Sequence, residues 1–114
     1  MVVNIYDNAN EMASTLRQTS QYTALRGAFA KMKADPIAYG LFKDMQKVQA
    51  ELEQKQNAGQ KIEAEDQKKI RDLSEKLMKM DVVTDLMNKE REMNTVMEEV
   101  NKIVFKPISE LYRD

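Results

Sequence analysis

The chain contains no cysteine and no histidine, and these two absences remove a great deal of chemistry. Without cysteine there is no disulfide, thiol nucleophile or thiolate metal site, a composition that suits a reducing compartment. Without histidine, the commonest general base at neutral pH and the usual transition-metal ligand are gone. A di-iron or di-manganese centre in a helical bundle pairs glutamates with Glu-x-x-His motifs, so that ligand set cannot be assembled here. With three glycines and two prolines in 114 residues, few loops interrupt the chain. Aromatic and β-branched residues are sparse, which argues against a sheet. The charges nearly cancel, 18 basic against 19 acidic, so the excess of one sign that marks a nucleic-acid footprint is missing. No apolar run approaches the ~20 residues of a membrane span. Met1-Val2-Val3-Asn4 opens without the basic region and apolar stretch of a signal peptide. Together these features predict a cytoplasmic protein with no direct nucleic-acid or membrane partner.

Motifs with chemistry in them are also missing. There is no glycine-rich phosphate loop, and Asp81 and Asp85 lack the further ligands of a calcium loop. The many carboxylates fall on the polar faces of the expected helices. A solvated face does not supply the shielded pocket that a general acid needs. The expectation is a protein that is not an enzyme and has no catalytic, cofactor-binding or metal site.

What is present is helical periodicity. From Val82 to Phe105, the positions Leu86, Glu90, Met93, Met97, Val100 and Val104 recur at spacings of 4, 3, 4, 3 and 4, the 3.5-residue rhythm of a helix laid along other helices. On a wheel, Val82, Leu86, Met93, Val96, Met97, Val100, Ile103 and Val104 fall within about a third of a turn, and Val83, Met87 and Phe105 widen the arc. Such a stripe exceeds what one neighbouring helix covers. The helix is therefore expected to be central or shared between two molecules. Asp81 is its expected cap, Asp85 and Lys89 its stabilising i, i+4 pair, and Pro107 its stop or bend. Ile108, Leu111 and Tyr112 then form a short tail that docks on the bundle. Glu90 interrupts the seam and is either solvated at the rim or paired with a basic group across an interface.

Four further helices precede it. Asn4 or Asp7 caps the first, which runs to about Thr19 with Ile5, Ala9, Met12, Ala13 and Leu16 on one face. Ser20 caps the second, 21–33, which carries Tyr22, Leu25, Phe29 and Met32 and holds Gly27 for close helix packing. Asp35-Pro36 opens the third, which runs to about Ala58 and stops at Gly59. Its seam of Ala38, Leu41, Met45, Val48 and Leu52 repeats at 3, 4, 3 and 4, with Lys55 in the next slot. The fourth, from Glu63 or Ala64 to about Met80, carries Ile70, Leu73, Leu77 and Met80, with acids in its first turn and lysines in its last, as the helix dipole favours. Helices three and four should form a long antiparallel hairpin with Gly59 at its tip. The fold predicted is a single all-α domain over 1–114: about five helices, a long hairpin plus a central C-terminal helix, bundle-like and self-associating.

The interface is expected on Leu41, Met45, Val48 and Leu52 of the third helix and on Leu86, Met93, Met97, Val100 and Val104 of the fifth. Five helices leave too little material to cover both seams. Of the nine methionines, Met45, Met80, Met87, Met93 and Met97 recur at helical spacing, which reads either as core and self-association or as a groove for a different partner. Tyr6, Tyr22 and Tyr39 are expected at helix contacts rather than stacked on bases, because only Arg26 supplies a nearby charge.

Three stretches carry a family likeness: Asn4-Ile5-Tyr6-Asp7 with Ala9-Asn10; Lys33-Ala34-Asp35-Pro36; and Asn101-Lys102-Ile103 followed by Lys106-Pro107-Ile108-Ser109-Glu110-Leu111-Tyr112. Leu52-Glu53-Gln54-Lys55-Gln56 with Gly59 lies between them. Over its full length the chain resembles the YheA-type branch of the YlbF/YmcA-like family of Firmicutes. The resemblance implies an all-helical, cytoplasmic protein that forms a homodimer or higher oligomer, or binds another helical regulatory protein. It also implies, by analogy, a regulatory adaptor in a complex that affects competence, sporulation, biofilm formation and RNA processing. The iron–sulfur cluster of certain relatives needs cysteines that are absent here.

Overall fold

The computed structural model describes residues 3–113. Five helices account for nearly all of them: α1 Ile5–Arg17, α2 Ser20–Ala34, α3 Pro36–Asn57, α4 Ala64–Met78 and α5 Asp81–Leu111. No strand occurs among the described residues, so the protein is all-α with the five expected helices. Met1 and Val2, on which the reading of the N-terminus partly rests, lie outside the described residues.

Side chains cap the starts of α1, α2 and α3, and the starts of α2 and α5 differ from expectation by one residue. Asn4 caps α1, its side-chain oxygen accepting the Asp7 N–H at 3.2 Å. The helix ends at Arg17 rather than Thr19. Thr19 instead serves the next helix, its Oγ1 accepting the Tyr22 N–H at 3.1 Å. Ser20, the expected cap of α2, is therefore its first helical residue. At α5 the Met80 carbonyl accepts the Thr84 N–H at 3.1 Å, so Asp81 lies inside the first turn instead of capping it. Its charge there still suits the positive end of the helix. Gly27 allows no close approach either, since a Cβ at that position would meet no heavy atom within 4 Å; the residue is exposed.

The described residues divide into two compact units. One is Ala28–Met87; the other consists of the described parts of Met1–Gly27 and Asn88–Asp114. The first contains the hairpin. Asp35 Oδ1 accepts the Ile37 and Ala38 N–H groups at 3.0 and 3.1 Å, and Pro36 fills the first helical position, where a missing N–H is harmless. At ~1.5 Å per residue, α3 extends about 33 Å before it stops. There Gly59 takes a φ of 72°, the left-handed region open to glycine. The Gln60 N–H reaches the Lys55 carbonyl at 2.8 Å and the Gly59 N–H reaches Gln56 at 3.1 Å. These two bonds are the Schellman closure of a helix end, and α4 then returns along α3.

Most of the core belongs to this unit: Ala28, Met32, Ala38, Leu77, Val83 and Leu86 are buried. Met32 is fully enclosed, at 0% exposure. Phe29 and Phe42 meet edge to face, with ring centroids 6.1 Å apart. In the other unit, Met93 is the one buried apolar side chain among the described residues, and α1 buries none.

Candidate interaction surface

The heptad seam of α5 changes character along its length. Leu86 and Met93 are buried at 3% and 8% exposure; Met97 and Val100 are half-buried; Val104 stands 50% exposed. The seam does not end there. Pro107 lies inside the helix rather than stopping it, and α5 continues to Leu111. Proline removes its own N–H from the ladder, yet the helix spans it. The 4-3 rhythm consequently runs on through Pro107 to Leu111, which is 81% exposed. Beside it, Ile103, Phe105, Ile108 and Tyr112 are all exposed. The tail of Ile108, Leu111 and Tyr112 thus projects from the end of α5, contrary to the expectation that it docks, because an unbroken helix carries it past the covered part of the seam.

Met97 and Val100 form one wall of a groove in the same unit. Ala9, Met12, Ala13 and Leu16 of α1 form the other, enclosing about 200 Å³. Every lining residue is apolar, and the small side chains of Ala9 and Ala13 keep the α1 wall low. Ile5 and Tyr6 at the start of α1 are exposed as well.

The remaining expected interface residues, Leu41, Met45, Val48 and Leu52, are half-buried on α3. Leu86 and Met93 are already covered by the chain. The sequence pattern placed Ala9, Met12, Ala13 and Leu16 on one face of α1 and Ile108, Leu111 and Tyr112 in a docking tail, but assigned neither set to the interface. The signal for the latter was the same heptad rhythm, cut short at Pro107. Glu90 is exposed, as the rim reading requires. Asp85 and Lys89 form no ion pair; among the described residues the salt bridge found is Lys55–Asp66. Tyr39 also departs from expectation, since Lys43 Nζ sits 4.5 Å and Lys33 Nζ 5.9 Å from its ring centroid. Lys43 is one helical turn on from Tyr39 in α3, and the α2–α3 turn brings Lys33 to the same ring.

Among the described residues, no three acidic side chains converge as a metal site would need, and no helix is long and apolar enough to cross a membrane. The two displaced pKa values belong to the hairpin. The hydrogen bond from Lys55 holds the Asp66 carboxyl below the usual carboxylate range, with help from the Glu63 N–H. The same bond raises the Lys55 ammonium.

The described residues thus form an all-helical protein with an apolar helix face exposed at the C-terminal end of α5. The chain belongs to the YlbF/YmcA family: the family model described as "Control of competence regulator ComK, YlbF/YmcA" matches residues 5–109. It is 43% identical to a UPF0342 protein of Pediococcus pentosaceus over the whole of both chains. It is 41% identical to another from Lactiplantibacillus plantarum, again over all of both chains. Among solved structures it is similar to YheA from Bacillus subtilis, with a TM-score of 0.72 and 25% identity over 96% of this chain and 100% of that one. A DUF964 protein of unknown function from Bacillus stearothermophilus shares the fold at a TM-score of 0.85, with 24% identity and 96% of each chain covered. Bacillus subtilis RicA, solved in complex with RicF, shares it at a TM-score of 0.66, with 21% identity and 96% of each chain covered.

Proposed function

We propose that the protein is a non-catalytic helical interaction module of the cytoplasm that self-associates through α5 and its neighbouring groove. The observation that carries this reading is the bare end of the α5 seam, where Val104, Ile108 and Leu111 are 50%, 52% and 81% exposed. Single exposed apolar residues need no explanation, but a contiguous stripe of them does. Burying it at ~25 cal/mol per Å2 is a substantial drive to associate. Light scattering at tens of micromolar tests the proposal. A dimer or higher oligomer is expected, and a monomer throughout that range would reject it.

A second reading is a regulatory adaptor that binds another member of the same family. It is supported by the family's link to control of the competence regulator ComK and by a protein of the same fold, RicA, having been solved with a protein partner. Affinity purification from the native cell discriminates between the two. Recovery of a second YlbF/YmcA-family protein in stoichiometric amount favours the adaptor; recovery of the chain's own copies alone favours the first reading.

A further inference from the structure

We infer that α1 is a lid, hinged at Gln18 and Thr19, that closes over Met97 and Val100 of α5 and shuts the groove to any other occupant. Exposure on the apolar face of α1 rises with distance from the hinge. Leu16 is half-buried, Met12 is 44% exposed and Ile5 is 64% exposed. A helix docked along its whole length would keep that face covered from end to end. Nothing polar fastens α1 in place either. Among the described residues, its hydrogen bonds are internal or reach only the turn at Gln18 and Thr19. No ion pair involves it. The hairpin helices α3 and α4 lie in extended contact, whereas α1 and α5 do not.

The two walls suit each other. Ile5, Ala9, Met12 and Leu16 recur at spacings of 4, 3 and 4, the rhythm of Met93, Met97, Val100 and Val104 on α5. Across the gap of about 200 Å³, the lining side chains are all apolar. Solvent entering it finds no hydrogen-bonding side chain on either wall, so the hydrophobic effect favours closure. Ala9 and Ala13 let the helices approach, and the unbranched side chains of Met12 and Met97 adapt to a narrowing gap. A helix of 13 residues is marginal by itself in water, so closure also secures α1. Movement about Gln18 leaves the Thr19–Tyr22 bond in place, and with it the start of α2. The lid and a second chain compete for Met97 and Val100. The apparent affinity of the groove for that chain therefore falls in proportion to the open fraction. Closure itself is independent of the self-association proposed above; its consequence for a second chain rests on that reading.

With no native cysteine, closure can be trapped as a disulfide within one chain. Two double variants, Met12→Cys with Met97→Cys and Met12→Cys with Val100→Cys, are oxidised gently at high dilution. The control is Glu11→Cys with Met97→Cys, whose α1 position lies off the groove face. At least one groove pair is expected to close about tenfold faster than the control, as a pair already held face to face does. Trapping should slow amide hydrogen exchange over residues 5–17 about tenfold relative to the reduced form. Groove pairs no faster than the control, or exchange unchanged by trapping, would overturn the lid. Light scattering at tens of micromolar reads the consequence. The reduced variant is expected to be a dimer and the trapped one a monomer. A trapped chain that dimerises as fully as the reduced one overturns the competition. Monomeric reduced and unmodified chains reject self-association instead, and the trapping rates alone then decide the lid. Circular dichroism of each variant confirms that the chains compared are folded.

Discussion

Lys55 Nζ lies 2.7 Å from Asp66 Oδ2, and that bond joins the last turn of α3 to the first turn of α4. The same carboxylate oxygen accepts the Glu63 N–H at 3.2 Å. One acidic side chain thereby ties off an otherwise unpaired donor at the start of α4 and anchors the lysine that replaces an apolar residue in the α3 seam. The hairpin needs such a link where its seam turns polar, because the tip residues 56–61 are all exposed.

The Lys55–Asp66 pair gives the hairpin a pH dependence with two limbs. The Asp66 carboxyl is held low in the folded state, so its contribution is present above the ordinary carboxylate value of about 4 and is lost as pH falls through the lowered one. The Lys55 ammonium is held high, so its contribution is present below about 10.5 and is lost as pH rises through the raised value. Asp66→Asn is expected to lower the melting temperature near neutrality and to flatten both limbs. Thermal melts of the two proteins between pH 2 and 11 (limits set roughly by those values) check this; identical profiles would show that the bond carries no stability.

The three glycines separate into two kinds. Gly59 has a φ of 72° with open space around it, so Gly59→Ala meets backbone strain alone and is expected to cost about 1–2 kcal/mol. Gly27 and Gly40 lie inside helices, and an added Cβ meets nothing within 4 Å. Gly27→Ala and Gly40→Ala are each expected to stabilise by about 0.5–1 kcal/mol. Urea titrations of the three variants show whether the signs differ as stated.

Met32 is fully enclosed, so Met32→Ala is expected to destabilise by about 2–5 kcal/mol. Met12, at 44% exposure on the groove wall, should lose far less when cut back to alanine, within about 0.5 kcal/mol for a surface site. A comparison of their urea midpoints tests whether the core lies where the burial pattern places it.

Much of the fold was legible because periodicity and caps report on local geometry. Asp35-Pro36 and Gly59 marked the ends of α3 through side-chain and backbone chemistry that needs no tertiary context. The one-residue errors at Ser20 and Asp81 have different causes: at α2 Thr19 offered a hydroxyl next to that of Ser20 and won, and at α5 a backbone carbonyl sufficed. Of the two readings of Pro107, stop or bend, the stop fails because proline disfavours helix interiors by only a few kcal/mol, and α5 runs on to Leu111. The Lys55–Asp66 bond was invisible because it depends on where the hairpin folds back. The α5 stripe was plain in the sequence, but its division into a covered half and a bare half depends on tertiary packing, which no single helix encodes.

Self-association through the bare end of α5 is tested most directly by sedimentation equilibrium on three proteins: the unmodified chain, Val104→Asp, and Lys102→Asp on the opposite face of the same helix. Val104 is already 50% exposed, so the aspartate leaves the fold intact while charging the seam. The unmodified chain and Lys102→Asp should sediment as dimers at tens of micromolar and Val104→Asp as a monomer of unchanged helicity. A monomeric unmodified chain, or a Val104→Asp variant that remains fully dimeric, would contradict self-association through this surface.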